Sequence, residues 1–365
     1  MSHYDTIRTE MERLGLDGFM ITGEWNRRYV SGFTGSNGAV LITRDHAEFI
    51  TDYRYFEQAG QQTGLEVVLH AEHTGHKQKI YDEVAREVEK HGLRRVGFEQ
   101  QHVSFGNYER LKGQTDAELV PTYDLIENIR MIKTPEEIEK LRIASRITDD
   151  AYEHILGFIR PGQKETDVAD ELVRFIKEQG GHSVGFYPIV ASGIRSSMPH
   201  GRASDKVIGQ GEMITIDFGA NFEGYWSDIS RTVSVGEPSS EMLEIQDVVL
   251  RSFLNCRSQI KPGMTDSEVD EKMREVLIES GFNERSGTGT GHGIGLEVHE
   301  KPLFSVDSEK VLQPNMVITI EPGIYLPGVG GARVEDVLLI TEDGCEVLTP
   351  STKELVMLDV AGAVK

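Results

Sequence analysis

The feature that most constrains the fold is a weak internal repetition in the second part of this 365-residue chain. Ile159-Arg160-Pro161-Gly162, followed by an acidic amphipathic stretch ending at Gly180, is echoed by Ile260-Lys261-Pro262-Gly263 and a stretch ending at Gly281. Met213-Ile214-Thr215-Ile216-Asp217-Phe218-Gly219 is likewise echoed by Val317-Ile318-Thr319-Ile320-Glu321-Pro322-Gly323. An offset of about a hundred residues is too long for a stacked solenoid repeat. It fits a duplicated α+β half, two of which form one domain around a pseudo-twofold axis. Each half then delivers one carboxylate at the end of an apolar strand and a second further on, which predicts a metal cleft between the halves.

The acids in question are Asp217 and Asp228 in the first half and Glu321 and Glu335 in the second. The run from Met213 through Val233 reads as a β-hairpin that brings Asp217 and Asp228 together on one face. A carboxylate at the end of an apolar strand is costly to bury unless it is paired or metal-bound. Blander readings are a turn acid, a surface acid and, for the second half, an Arg333–Glu335 pair on one face of an exposed strand. The fifth candidate is His292, in the glycine-rich run Gly287 to Glu300 that also carries His299. One imidazole with four carboxylates suits Mn²⁺, Co²⁺, Fe²⁺ or Zn²⁺ and is unlike a thiolate-rich structural zinc site. Four acids are too many for one catalytic ion that keeps an open position. They suit two ions about 3.5 Å apart.

Composition narrows the alternatives. The formal net charge of −22 argues against nucleic acid and anionic membranes as partners, because both need a basic face. Two distant cysteines, Cys256 and Cys345, make neither a disulfide framework nor a thiolate metal site. The N-terminal stretch lacks the apolar core of a signal peptide, and no run of about 18 apolar residues occurs, so a cytoplasmic protein is expected.

Residues 1–125 alternate helical and strand periods: Ile7, Met11 and Leu14, then Phe19-Met20-Ile21, Ala39-Val40-Leu41-Ile42, Phe49-Ile50-Thr51, the helix of Ile80, Val84 and Val88, and Val96-Gly97-Phe98. That predicts an α/β domain, with residues 126–365 as the second domain. Residues 121–135 read as a link. Thr134-Pro135-Glu136-Glu137 is a strong helix start, with a capping threonine, a proline in the first turn and acids at the positive end. The charge run from Asp82 to Arg95 reads as a solvated helix face.

In these motifs the chain resembles the pita-bread metallopeptidases, and within them the proline-specific branch of aminopeptidase P and the Xaa-Pro dipeptidases. The matching stretches are MPHGRASDK, ITIDFGA, WSDISRT, GHGIGLEVHE, ITIEPGIY and ARVED; the first part resembles the creatinase-type N-terminal domain through NRRYVSGFTGSNGAVLIT and TDYRYFEQA. The resemblance implies that Asp217 chelates one ion, that Asp228 and Glu335 bridge two, and that His292 and Glu321 hold the other. It further implies a metal-bridging hydroxide as nucleophile, and Glu321 as proton acceptor and donor. His299 would steady the tetrahedral intermediate and His200 would line the proline-side pocket. Arg333 would orient Glu335 or contact substrate carboxyl groups, with Tyr325 lining the cleft.

The expected cofactors are two divalent ions, Mn²⁺ foremost, with Co²⁺ or Zn²⁺ as alternatives. The expected substrates are short proline-containing peptides, and the expected assembly is a homodimer. The TDYRYFEQA and GSNGAVLIT matches favour removal of the first residue from longer peptides, as in aminopeptidase P; a dipeptidase is the alternative. A metal-free creatinase-type enzyme and a non-catalytic binding module sit poorly with five retained ligands. One departure stands out: where relatives commonly carry a histidine four residues before the ligand histidine, this chain has Thr288.

Overall fold

The computed structural model of the chain describes residues 3–70, 80–287, 289–304 and 309–359. Thr288 therefore lies outside the described residues. The chain divides into two compact units, Met1–Arg130 and Met131–Lys365.

The first unit is built on six strands: β1 (Gly18–Ile21), β2 (Ala39–Thr43), β3 (Ala47–Thr51), β4 (Glu66–Leu69), β5 (Arg95–Glu99) and β6 (Glu118–Thr122), in the order β4-β3-β2-β1-β5-β6. The β1–β2 and β2–β3 pairs are antiparallel, and the others are parallel. The two edge strands are weak signals in sequence. β6 carries Pro121, which an edge strand tolerates because its missing N–H faces no partner. One face of the sheet packs Met20, Leu41, Ile50 and Phe98 against Val84 and Val88 of the helix Ile80–Lys90.

That helix corrects the expectation of a solvated charged face. Asp82, Glu83 and Glu87 are all buried. The neighbouring helix Phe105–Lys112 brings Arg110, which donates two hydrogen bonds of 2.5 Å to the Asp82 carboxylate, and Gln114 adds a third at 2.6 Å. Glu83 and Glu87 pair instead with Arg86 and Lys90 of their own helix.

The second unit contains the repeated halves. Its strands are β7 (Ser183–Val184), β8 (Ile189–Ser192), β9 (Met213–Phe218), β10 (Ala220–Phe222), β11 (Tyr225–Trp226), β12 (Ile229–Val235), β13 (His292–Gly293), β14 (Glu300–Leu303), β15 (Val317–Ile320), β16 (Gly323–Leu326), β17 (Gly330–Arg333), β18 (Asp336–Ile340), β19 (Cys345–Val347) and β20 (Val356–Leu358). The first half packs the helices Pro135–Leu156 and Glu165–Glu178 on the sheet β20-β12-β9-β8, around Ile155, Leu172, Ile214 and Val233. The second packs Ser240–Gln259 and Asp266–Glu279 near the sheet β14-β13-β15-β18-β19, around Phe253, Leu277, Ile318 and Leu338.

The duplication extends to single hydrogen bonds. Gly162 N–H donates to the Ile208 carbonyl and Gly263 N–H to the Leu312 carbonyl, both at 2.9 Å. Both glycines have φ near 90°, a left-handed value that L side chains rarely adopt, which is why Pro-Gly recurs in both halves. The start at Thr134 is a full capping box: its hydroxyl accepts from Glu137 N–H, and the Glu137 carboxylate accepts from Thr134 N–H at 2.8 Å.

Candidate active site

Strand register decides where the acids point. β9 and β12 run antiparallel, with Asp217 opposite Ser230. Asp228 lies two residues before Ser230, so alternation puts it on the same face as Asp217. The connection is more elaborate than a plain turn: residues 220–226 form their own β10–β11 hairpin in a small sheet with β7. Where the chain leaves β9 the backbones nearly touch. A Cβ on Gly219 would lie 1.7 Å from the Ser227 carbonyl oxygen, so only glycine fits there.

The second half repeats this with β15 and β18, where Ile320 faces Asp336 and leaves Glu321 and Glu335 just beyond the paired ends. An isolated bridge between Ser230 and Glu335 joins the two halves beside these acids, with Glu335 N–H donating to the Ser230 carbonyl at 3.0 Å. Asp217, Asp228 and Glu335 thereby bring carboxylate oxygens within 4.8 Å of one another, and so do His292, Glu321 and Glu335 with their ligand atoms. The two groups share Glu335. His292 is also grouped with Asp228 and His299.

The residues fit divalent cations on grounds internal to the site. Asp217 Oδ1, Asp228 Oδ1 and Glu335 Oε1 are buried without a hydrogen-bond partner, a costly state for carboxylates that a cation relieves. His292 Nδ1 lies 3.0 Å from the Gly293 carbonyl, which can only accept, so Nδ1 carries the proton and Nε2 presents its lone pair. Nε2 stands 3.6 Å from Glu321 Oε1 and 3.9 Å from Asp228 Oδ2 and Glu335 Oε1. These separations are too long for hydrogen bonds and suit atoms arranged around an ion.

Burial lowers the His292 imidazole to about 4, which keeps it neutral and ligand-ready. Burial pushes the Asp228 and Glu335 carboxyls well above their usual range; the charges of Glu335 and Asp217 on Asp228, and of Glu321 and Asp217 on Glu335, add to the rise. Asp217 is raised by burial against the opposing Arg333 charge, and burial lifts Glu321 to about 7. Four carboxylates crowd around one guanidinium, a concentration of negative charge that cations neutralise.

Arg333 is buried, and four hydrogen bonds hold it in place. Nε donates to Ser230 Oγ at 2.6 Å; Nη1 donates to Tyr325 Oη at 2.7 Å and to the Pro199 carbonyl at 3.1 Å; Nη2 donates to Asp217. Ser230 Oγ in turn donates to Glu335 Oε2 at 2.8 Å. The same-face Arg333–Glu335 pair is therefore corrected: Arg333 holds Asp217 directly and Glu335 only through Ser230. Ser230 is a site residue missed from sequence. Its only signal was its position two residues after Asp228 on the same face.

All nine candidates, Asp217, Asp228, His292, Glu321, Glu335, His200, His299, Tyr325 and Arg333, line a single cavity of about 560 Å³. His299 packs edge-on against His292 with ring centroids 4.3 Å apart, and burial lowers its imidazole below the ordinary value. Phe186, Tyr187 and Ile189 give the cavity an apolar side, and the exposed Arg202 stands at it two residues after His200.

The chain matches metallopeptidase family M24 over residues 139–342 and the creatinase/prolidase N-terminal domain over residues 4–132. Among solved structures it resembles the Xaa-Pro dipeptidase from Bacillus anthracis, with 47% identity, TM-score 0.92, and coverage of 97% of this chain and 99% of that one. It also resembles an X-Pro aminopeptidase from Thermotoga maritima MSB8, with 38% identity, TM-score 0.86, and coverage of 95% and 99%. The Xaa-Pro dipeptidase of Pyrococcus horikoshii is 37% identical over 348 residues, 95% of this chain and 96% of that protein.

Proposed function

Because the chain belongs to metallopeptidase family M24, we propose that it is an Xaa-Pro dipeptidase that works with two divalent cations. The observation that carries this reading is the near-complete match to the Bacillus anthracis Xaa-Pro dipeptidase, at 47% identity. The N-terminal motifs TDYRYFEQA and GSNGAVLIT favour an aminopeptidase, and the Thermotoga maritima X-Pro aminopeptidase keeps that second reading alive at 38% identity. The stronger match outweighs them.

Asp217, Asp228 and Glu335 are the ligands proposed for one ion, and His292, Glu321 and Glu335 for the other, with Asp228 and Glu335 between them. An oxygen-rich set with one imidazole suits Mn²⁺, with Co²⁺ or Zn²⁺ as alternatives. When bound, the cations supply an acidified water at neutral pH and polarise the scissile carbonyl.

The side chains do the rest. Glu321 is the least buried of the four acids, with 27% of its side chain exposed, which supports a role in taking a proton from the attacking water and returning it to the leaving proline nitrogen. His299 donates a hydrogen bond to the oxygen that gains charge as the carbonyl is attacked. The apolar side at Phe186 and Ile189 accommodates the proline ring, with His200 beside it. Arg202 supplies the cation for the free carboxylate that a dipeptide carries next to that ring.

The test is a comparison of Ala-Pro with Arg-Pro-Pro-Gly across a panel of Mn²⁺, Co²⁺ and Zn²⁺. Hydrolysis of Ala-Pro alone, or far faster, is expected. Release of arginine from the tetrapeptide with Ala-Pro untouched would overturn the dipeptidase reading in favour of the aminopeptidase.

A further inference from the structure

A second group of metal-ligand type lies in the first unit, on residues that take no part in the site above. His46 immediately precedes β3, Glu48 lies within it, and His91 follows the helix Ile80–Lys90. The ligand atoms of these three residues all lie within 4.8 Å of one another. Both imidazoles address the same carboxylate oxygen: His91 Nε2 is 3.3 Å and His46 Nε2 is 3.7 Å from Glu48 Oε2.

A further carboxylate lies on the next strand. Parallel pairing of β3 with β4 sets Glu66 beside Glu48, and Glu66 Oε2 is 3.5 Å from His46 Nε2. Glu87 also approaches, 3.7 Å from His91 Nε2, but Lys90 already engages it at 2.6 Å.

We propose that His46, His91 and Glu48, with Glu66 at the rim, form a binding site for a single divalent transition-metal ion of the Zn²⁺ class. The geometry is the first argument. Tetrahedral ligands at about 2.1 Å from an ion stand about 3.4 Å from each other. Within the group, the His91–Glu48 and His46–Glu48 separations of 3.3 and 3.7 Å bracket that value. The shorter is within hydrogen-bond reach and the longer exceeds it, so direct hydrogen bonding accounts for only one of the two imidazoles.

Burial is the second argument. The Glu48 side chain is 1% exposed, whereas His46 and His91 keep 38% and 23%. Glu48 Oε1 is buried with no hydrogen-bond partner, so the carboxylate is held out of water with one oxygen unsatisfied and the other facing two imidazoles. An ion would enter from the histidine side.

Preorganisation is the third argument. The His46 backbone is fixed on both sides: its N–H donates to Thr43 Oγ1 at 3.0 Å, and its carbonyl accepts from Thr43 N–H at 2.9 Å and from Arg8 Nη2 at 3.1 Å. Two imidazoles and a carboxylate suit Zn²⁺ better than Mg²⁺ or Ca²⁺, which prefer all-oxygen shells.

The test counts Zn²⁺ equivalents bound by the full-length chain after chelator treatment, using equilibrium dialysis. The wild type is expected to bind one equivalent more than His46→Gln/His91→Gln, and one more than Glu48→Gln. Glutamine keeps the size and polarity of all three side chains, and circular dichroism checks that each variant is folded. In an Asp228→Asn/Glu335→Gln background, which removes shared ligands of the other centre, one equivalent should persist and then vanish on adding His91→Gln. X-ray absorption at the zinc edge should report two imidazoles on that remaining ion. Equal stoichiometry in the wild type and in folded His46→Gln/His91→Gln would overturn the proposal.

Discussion

Arg333→Lys separates two roles that a buried guanidinium can play beside four carboxylates. If Arg333 serves only as a positive charge, lysine replaces it. If it serves as a rigid fork, lysine fails, because an ammonium is a compact point donor on a flexible stem. The structure favours the fork: Arg333 serves Ser230 Oγ, Tyr325 Oη, the Pro199 carbonyl and Asp217 from three nitrogens. One ammonium can reach about two of these acceptors. Each buried acceptor left behind costs about 1–3 kcal/mol, so the pair costs about 2–6 kcal/mol.

Part of that cost appears as lost stability and part as a displaced Asp217, since Arg333 is its direct partner. Removing an orienting partner of a metal ligand typically weakens metal affinity or activity by about 10–100-fold. Arg333→Lys is therefore expected to lower kcat/KM on an Xaa-Pro dipeptide by at least about tenfold at saturating Mn²⁺, and to raise the Mn²⁺ concentration needed for half-activity. Urea unfolding should show a loss of stability that is part of that range of about 2–6 kcal/mol. A lysine variant within about threefold of wild type in kcat/KM, with unchanged metal affinity, would refute the fork argument and leave charge alone as the role of Arg333.

Removal of bound cations with a chelator should lower Tm markedly, since ligand at a thousand times its Kd contributes about 4 kcal/mol per site; an unchanged Tm would contradict a structural debt at the orphaned carboxylate oxygens. Gly219→Ala forces a Cβ against the Ser227 carbonyl oxygen and should cost at least about 1–3 kcal/mol while reducing cation binding, because it separates the strands that carry Asp217 and Asp228. Arg202→Gln should raise KM for Ala-Pro with kcat nearly retained; a fall in kcat alone would remove Arg202 from carboxylate binding.

In the first unit, hydrogen bonds from Arg54, aided by Asn37, hold the Asp52 carboxyl down at about 2. A depressed carboxyl stabilises the fold above its ordinary range and loses that contribution as pH falls through about 2. The stability gap between wild type and Asp52→Asn should therefore shrink from pH 5 to pH 2, and a constant gap would assign the effect to packing instead.

Local chemistry made much of this protein legible from sequence. Thr134-Pro135-Glu136-Glu137 announces a helix because its capping groups lie within one turn, and the structure forms that capping box. The Pro-Gly turns at 162 and 263 repeat because a left-handed φ admits little else. The acids Asp217 and Glu321 stand out because a carboxylate closing an apolar strand has few inexpensive fates. The edge strands β4 and β6, and the buried acids of the helix Ile80–Lys90, were not legible, because their environment is set by neighbours far along the chain.

Sequence alone established which residue types were available: two acids closing apolar strands, two more further on, a histidine among glycines, and two halves to carry them. How they meet followed from packing between distant segments. Glu335 is shared between two ligand groups because an isolated bridge joins Ser230 to it across 105 residues. Arg333 turned out to hold Asp217, whereas sequence spacing pointed to Glu335. His46, Glu48 and His91 were unremarked in the chain and became a cluster once β3 and the end of a helix were packed together. The physical reason is the same throughout: caps and turns are settled within a few residues, whereas a ligand set depends on register and packing between segments about a hundred residues apart.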